Sequence, residues 1–285
     1  MIPAAFDYVR AASVDEAVDA LAQHGDGARI LAGGHSLLPL MRLRLSFPEV
    51  LIDVGRIDDL RGVREDGDHL VIGAMTTHHD VITDPLVRQH CGVLAEVTQE
   101  VGDPAVRNRG TIGGAAAHAD PAGDQPAALL ALDAEFVAQG RDGRRTIAAA
   151  DFFQDYLSSA LNGDEVLVEI RLPKLGSDWS WNFQKFQRVA QAWAIVGSCA
   201  LVRHDDGEIG EARVGLVHMG STPLRASATE DALAGVDVSD GDAIRAAAEQ
   251  AAEGTSPTAD QNAQPDYRRH LARVLTRRAV EAAVQ

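Results

Sequence analysis

Cysteine is almost missing from this sequence, with Cys91 and Cys199 the only two among 285 residues. They stand far apart and form no CxxC pair, so the chain lacks the pattern of a zinc or iron–sulfur site. They read as two small semi-buried residues in a reduced, cytoplasmic setting. Long apolar runs are lacking too. No window approaches the ~20 apolar residues of a membrane span. The start, Met1-Ile2-Pro3-Ala4-Ala5, has neither the basic region nor the apolar core of a signal peptide. Positive charge is scarce, with 26 basic against 42 acidic residues and a net charge of −16. Such a surface repels nucleic-acid backbones and disfavours anionic membranes. The glycine-rich stretches match neither the dinucleotide fingerprint nor the phosphate-binding P-loop, which points away from both nucleotide folds.

What the chain does have is a pair of short glycine loops, Ala32-Gly33-Gly34-His35-Ser36 and Gly110-Thr111-Ile112-Gly113-Gly114. Glycine lacks Cβ and tolerates positive φ, so such loops can turn successive amides toward an anion. Ser36 and Thr111 add hydroxyl donors. The first loop follows an apolar run, Ala28–Ala32, and leads into Leu37–Met41, which predicts a strand, a turn and a helix start. Either loop alone reads more readily as a tight turn. Together they read as two halves of one anion cradle.

The chain divides into three expected regions. Residues 1–57 form a small α/β lobe, with a capping-box helix from Ser13 and Glu16 and strands at 28–32 and 50–54. Residues 58–175 form a larger lobe, with a strand at 69–73, one long helix over 86–101, the second glycine loop, a helix at 124–132, and strands at 135–138 and 165–172. A hairpin turn is expected at 141–144. Residues 176–285 form an α+β domain with strands at 182–188, 192–203 and 211–219 and helices at 229–234, 242–254 and 266–283.

The stretch Ala32-Gly33-Gly34-His35-Ser36-Leu37-Leu38-Pro39 resembles the first FAD-binding loop of the flavoprotein (medium) subunits of molybdenum hydroxylases. That family includes carbon monoxide dehydrogenases and xanthine-dehydrogenase-type enzymes. The run Val106-Arg107-Asn108-Arg109-Gly110-Thr111-Ile112-Gly113-Gly114, continuing into His118-Ala119-Asp120-Pro121-Ala122-Gly123-Asp124, resembles the second loop and is more specific. Further similarity lies in Gly73–His78, Thr222–Ala226 and Tyr267-Arg268-Arg269, so the resemblance spans nearly the whole chain. It implies an α+β chain, with an FAD-binding fold of the vanillyl-alcohol oxidase type in two α/β lobes. A C-terminal α+β carbon-monoxide-dehydrogenase flavoprotein domain would follow.

The resemblance also implies site residues. Ala32, Gly33, Gly34, His35 and Ser36 would meet the pyrophosphate and ribityl region of FAD, with Thr111, Gly113 and Gly114 completing the cradle. His118 belongs to the flavin-facing stretch. It does not converge with Asp120 and Asp124 on a metal, which needs three or four ligands. Asp124 accepts hydrogen bonds from a ribose or ribityl hydroxyl, or caps a helix. Lys185 would lie by the isoalloxazine edge, where positive charge stabilises reduced flavin. Trp193 would shield one ring face, or else packs in the core. Ala192 stands where the family usually has an acidic residue, which implies an altered flavin potential or acceptor preference. The run His78-His79-Asp80 reads as a polar turn or helix cap. Arg268, Arg269, Arg273, Arg277 and Arg278 read as a solvated helix face or a docking surface for an acidic partner.

No catalytic acid, base or nucleophile and no metal site is expected in this chain. By resemblance it would be the electron-exit subunit of an oxidoreductase. It would assemble with a [2Fe–2S] small subunit and a molybdopterin large subunit as a dimer of heterotrimers, and pass electrons through FAD to quinone, NAD or oxygen. A self-sufficient FAD-dependent reductase of the same fold and a flavin-free structural subunit remain as alternatives.

Overall fold

A computed structural model describes residues 2–285; Met1, the first residue of the expected N-terminal lobe, lies outside the described residues. The chain begins with β1 (Asp7–Arg10), α1 (Val14–His24), β2 (Ala28–Leu31), α2 (Leu37–Arg42) and β3 (Val50–Asp53). The three strands form a parallel sheet in the order β1-β3-β2. Helix α1 starts where expected: Ser13 Oγ accepts from Glu16 N at 3.1 Å, and Glu16 Oε2 reaches back to Ala12 N at 2.8 Å. Its apolar stripe of Val14, Ala17, Val18 and Leu21 is buried.

The second region comprises β4 (Val63–Asp66), β5 (His69–Gly73), α3 (His78–Thr83), α4 (Pro85–His90), α5 (Gly92–Gln99), α6 (Pro104–Arg107), α7 (Ile112–His118), α8 (Asp124–Ala131), β6 (Glu135–Gly140), β7 (Gly143–Ala148), α9 (Ala149–Phe152), β8 (Phe153–Asp155), β9 (Ser158–Ser159) and β10 (Val166–Pro173). Strands β4-β5-β10-β6-β7 form one antiparallel sheet. The long helix expected over 86–101 is two helices. The break falls at Cys91 and Gly92, where a Cβ on Gly92 would lie 2.4 Å from the Trp181 ring. A side chain from the third region thus takes up the space that any side chain at position 92 would need.

The third region comprises β11 (Trp179–Phe186), β12 (Val196–Asp205), β13 (Glu208–Val217), β14 (Leu224–Arg225), α10 (Ser227–Leu233), α11 (Gly241–Ala248) and α12 (Pro265–Ala283). Its sheet is antiparallel in sequence order. The expected second strand begins later than residue 192, because residues 187–195 form an irregular connection. The expected helix over 242–254 ends at Ala248 and continues as a 3-10 turn, Glu249–Ala252.

The five-stranded sheet holds the regions together. Val137, Val166 and Val168 on one face pack into the core of the first lobe with α1. Phe136, Leu167, Ile170 and Leu172 face the helical layer, in a core that also takes in Phe183, Cys199 and Leu201 of the third region. Helix α8 is buried along its whole length between the two antiparallel sheets, and a Cβ on Gly215 would lie 2.2 Å from Ala127 O. Both cysteines are fully buried and unpaired; burial pushes the Cys91 thiol up to about 12 and the Cys199 thiol further. They act as small apolar residues.

Phe136 stacks on Phe152 with ring centroids 3.9 Å apart, and Phe153 meets both edge-on. Replacing Phe152 with alanine is expected to destabilise the chain by about 3–5 kcal/mol. Denaturant unfolding checks this, and a loss below about 1 kcal/mol would show that the aromatic cluster is not part of the stabilising core.

Candidate functional site

The two glycine loops meet face to face. Strand β2 ends at Leu31, and the first loop turns directly over the second. A Cβ on Gly33 would lie 2.3 Å from Arg109 O and 2.8 Å from Gly110 Cα. Gly33 is therefore glycine because another backbone occupies its side-chain position. Gly34 has a φ of +75°, which reverses the chain into α2. Among the described residues, the backbone amides of Gly33, Gly34, His35 and Ser36 donate to no protein acceptor. The exposed His35 lies with Nδ1 3.0 Å from Gly33 O, which braces the turn. Ser36 stands at the head of α2 without bonding its own helix, so its hydroxyl is free.

The second loop is organised differently. Thr111 Oγ1 caps α7 by accepting from Gly114 N at 3.2 Å, and Gly113 N donates to Ala74 O at 2.9 Å. A Cβ on Gly113 would lie 2.5 Å from Ala74 Cβ. The amides of these two glycines are engaged within the protein, which corrects the symmetric picture of two equivalent sets of free donors. The first loop carries the free amides; the second supplies the floor. At Gly114 a Cβ would meet the capping Thr111 Oγ1 at 2.8 Å and Ala32 Cβ at 3.6 Å, so this glycine keeps the joint between the loops open.

One residue at this joint escaped the sequence reading. His78 is the first residue of α3, and Thr77 caps that helix by accepting from Asp80 N, so the run His78-His79-Asp80 belongs to a capped helix start and not to a polar turn. Its ring is buried beneath Gly110, whose Cβ would lie 2.7 Å from His78 Nε2. Its Nδ1 has no partner. Burial pushes its pKa down to about 4, with the nearby His35 and Arg107 adding to the effect, so the ring is neutral at pH 7. The paired histidines after a capping threonine were the only signal.

Asp124 and Lys185 form a second centre. Gly123 takes the cap position of α8 and Asp124 is the first helical residue, so the helix-capping alternative fails. The Asp124 side chain turns instead to Lys185, with Nζ 2.6 Å from Oδ2, and both are almost fully buried. Lys185 also donates to Glu100 O at 2.9 Å. Asp124 Oδ1 is buried without a partner. Desolvation raises the Asp124 pKa from 3.8 to about 6, and the Lys185 charge pulls against that rise. Beside Lys185 opens a cleft of about 240 Å³ lined by Glu96, Glu100, Phe183 and Gln184. Desolvation raises the Glu96 carboxyl as well.

His118 ends α7 and is half-buried, and desolvation lowers its pKa against the pull of Asp120. Among the described residues no group of three potential metal ligands occurs. Trp193 lies in the connection between β11 and β12 and is 59% exposed, which rules out core packing. The root of that connection is held by Arg268. This residue is fully buried, donates to Ile195 O, and lies 2.7 Å from Asp260 and 3.1 Å from His218 Nδ1. Arg268 therefore leaves the arginine face expected on α12; Arg269 and Arg273 pair locally with Asp266 and Glu249.

The free amides of the first loop and the orphaned Asp124 Oδ1 fit a ligand that is anionic at one part and carries hydroxyl or N–H donors at another. FAD has both. Residues 4–175 match the family model for the FAD binding domain in molybdopterin dehydrogenase. Residues 181–283 match the CO dehydrogenase flavoprotein C-terminal domain. The chain is 41% identical over 283 residues to the carbon monoxide dehydrogenase medium chain of Hydrogenophaga pseudoflava, covering 99% of this chain and 98% of the relative. A solved structure of that organism's carbon monoxide dehydrogenase, lacking the Mo-pyranopterin moiety, superposes with a TM-score of 0.97 at 43% identity over 99% and 98% of the two chains. Quinoline 2-oxidoreductase from Pseudomonas putida 86 superposes with a TM-score of 0.95 at 34% identity over 100% and 99%.

The loop geometry separates two glycines that look alike in sequence. Gly33→Ala forces two backbones apart and is expected to lower stability by about 1–3 kcal/mol. Gly114→Ala disturbs only the Thr111 cap, costs about 1 kcal/mol, and weakens FAD retention. Melting temperature and flavin-to-protein ratio distinguish them; equal melting temperatures would contradict the loop-on-loop contact. Asp124 gives a pH prediction. Its folded pKa lies above its unfolded one, so the folded chain binds that proton more tightly and this contribution to stability falls as pH rises from about 4 to about 6. The stability of wild type relative to Asp124→Asn should shrink across that range in denaturant titrations, and a difference that grows would reverse the assignment.

Proposed function

Because the chain belongs to the molybdenum hydroxylase flavoprotein family, as an FAD-binding medium-type subunit, we propose that it is the electron-exit subunit of a molybdenum-containing hydroxylase. The observation that carries this reading is the row of unpaired amides at Gly33–Ser36, seated on the backbone of the second loop. Those amides, with Ala32, hold the pyrophosphate. Thr111, Gly113 and Gly114 form the opposing wall, and His118 lies on the same stretch of chain. Asp124 uses its orphaned Oδ1 to accept from a ribityl or ring donor, while Lys185 keeps the carboxylate paired and places positive charge near the flavin. Trp193, on a connection anchored by Arg268, shields one ring face. When bound, FAD supplies a carrier that exchanges electrons singly or in pairs.

The rest of the enzyme lies in other chains: a small subunit with two [2Fe–2S] clusters and a molybdopterin large subunit, assembled as a dimer of heterotrimers. The acceptor is an external quinone, NAD or oxygen. The carbon monoxide dehydrogenase and quinoline 2-oxidoreductase structures share this fold at TM-scores of 0.97 and 0.95, so the fold of this chain does not set the substrate. The lobes are 1–57, 58–175 and 176–285. Two buried, unpaired cysteines fit a cytoplasmic location, and no described helix is long and apolar enough to cross a membrane.

Purified chain should release about one FAD per protein on unfolding. Trp193→Ala should keep that FAD and shift its midpoint potential or its rate of reoxidation. A chain that yields no flavin and binds none when offered would overturn the reading. Steady turnover of NADPH with one substrate by the isolated chain would favour a self-sufficient reductase instead.

A further inference from the structure

Trp193 stands beside a sharp change in environment. Its side chain is 59% exposed, whereas Ala194 and Ile195, the next two residues, are 2% and 5% exposed. A buried carbonyl needs a donor, and both of these carbonyls meet a side chain from another part of the chain. Arg268 of α12 donates to Ile195 O. His218, the residue after β13, lies with Nδ1 2.8 Å from Ala194 O. A carbonyl only accepts, so at that distance Nδ1 carries the ring proton and donates it. Burial lowers the His218 pKa, the bond to Ala194 opposes that fall and the Arg268 charge adds to it, so the ring is neutral at pH 7 and spends its single N–H on Ala194.

His218 also reaches in a second direction. Its backbone N–H donates to Pro121 O at 2.8 Å. Pro121 lies in the stretch between His118 and Asp124 that follows the second glycine loop. The φ of His218 is +62°, a left-handed conformation uncommon for a residue with a Cβ. Strain of this kind persists where the surroundings hold it, and here both the ring and the backbone are bonded. One residue thus joins the Trp193 connection to the segment that leads into Asp124. Asp260 completes the group: its Oδ2 lies 2.7 Å from Arg268 Nη2, and the amides of Asn262 and Ala263 donate to its Oδ1.

We propose that His218 is a positioning residue for the flavin site: by tethering Ala194 O to the Asp124 segment, it sets where Trp193 stands. The proposal rests on the reading of Trp193 as the shield of one ring face. The bonding pattern selects His218 over Arg268 for this role. Arg268 is fully buried and paired with Asp260, so removing it leaves an uncompensated charge in the third region. His218 is half-buried, and its two N–H groups go to the two segments in question.

The test uses the full chain purified with its FAD. His218→Gly suits a positive φ and removes the ring. His218→Asn also tolerates that backbone and returns a side-chain N–H. Melting temperature and FAD content are expected to stay near wild type in both. Backbone hydrogen exchange over residues 187–195 is expected to run about fivefold faster in His218→Gly, for the loss of one hydrogen bond. It is expected to return toward wild type in His218→Asn. The flavin midpoint potential of His218→Gly is expected to shift in the same direction as that of Trp193→Ala, and His218→Gly should add nothing further in the Trp193→Ala background. Unchanged exchange in His218→Gly would overturn the proposal. So would a potential shift that persists in full in the Trp193→Ala background, because His218 would then act on the flavin by another route. Loss of FAD from folded His218→Gly would also sink it, by assigning the residue to cofactor retention. If glycine prevents folding, His218→Asp decides: it is close to asparagine in shape, but as a carboxylate it has no N–H for Ala194 O. Exchange equal to that of His218→Asn would then rule out the tether. A Trp193→Ala chain with unaltered flavin potential, alongside faster exchange in His218→Gly, would instead overturn the shielding reading and leave the tether in place.

Discussion

The contact on which this site depends is one backbone pressed against another. Gly33 sits on Arg109 and Gly110 so closely that no side chain fits between them. That contact fixes the first loop in space, and the fixed loop leaves a row of amides without protein partners. Unpaired amides cost free energy when they are shielded from water, so they persist only where solvent or a ligand takes them. The second loop can act as the floor because its own groups are satisfied: Gly113 by Ala74, Gly114 by Thr111, and Gly110 O by His78 N. One loop has both its paired glycine amides engaged, and the other leaves its amides without protein partners. In the proposed reading, this asymmetry gives an anion site that is formed before the ligand arrives, which lowers the ordering cost of binding.

The Asp124–Lys185 pair extends the same logic across the fold. Asp124 begins a helix of the second region, and Lys185 ends a strand of the third. Taking two charges out of water is costly, and removing one partner of such a pair typically costs about 3–5 kcal/mol. The pair is a weak source of stability for its size, and it ties α8 of the second region to β11 of the third. Arg268 does similar work nearby: a fully buried guanidinium links α12 to the carbonyl that follows the Trp193 connection. Two buried cations, on different elements, thus set the position of β11 and of the connection leaving it.

Much of this architecture was legible in the sequence, and the misses have a common cause. Strands β2, β3, β5 and β10 follow from short apolar runs, and α1 from Ser13 and Glu16. Both glycine loops declare themselves, and their flanks carry the family resemblance. What failed was any inference that needed the third dimension. The helix break falls at Cys91, where the backbone leaves helical geometry, and the Trp181 ring that excludes a side chain from the adjoining Gly92 comes from the third region. Arg268 sits on α12 among arginines that are solvated, and only the carbonyl of Ile195 and the carboxylate of Asp260 distinguish it. Gly33 and Gly114 look equivalent as letters. One is imposed by a neighbouring backbone, and the other only keeps a joint open.

The exposed parts of the chain follow from this division between what is held and what is left free. The buried pair, the packed loops and the fully buried α8 make the interior rigid, so large apolar groups at the surface are not slack in the packing. Trp193 projects from a connection whose root is clamped by Arg268, and Leu43, Leu45 and Phe47 project from a stretch whose start is fixed by the first loop. A side chain presented from a rigid support loses little entropy when it is covered, whereas one on a loose segment must first be ordered. Both groups of exposed apolar residues therefore lose little entropy if they are covered.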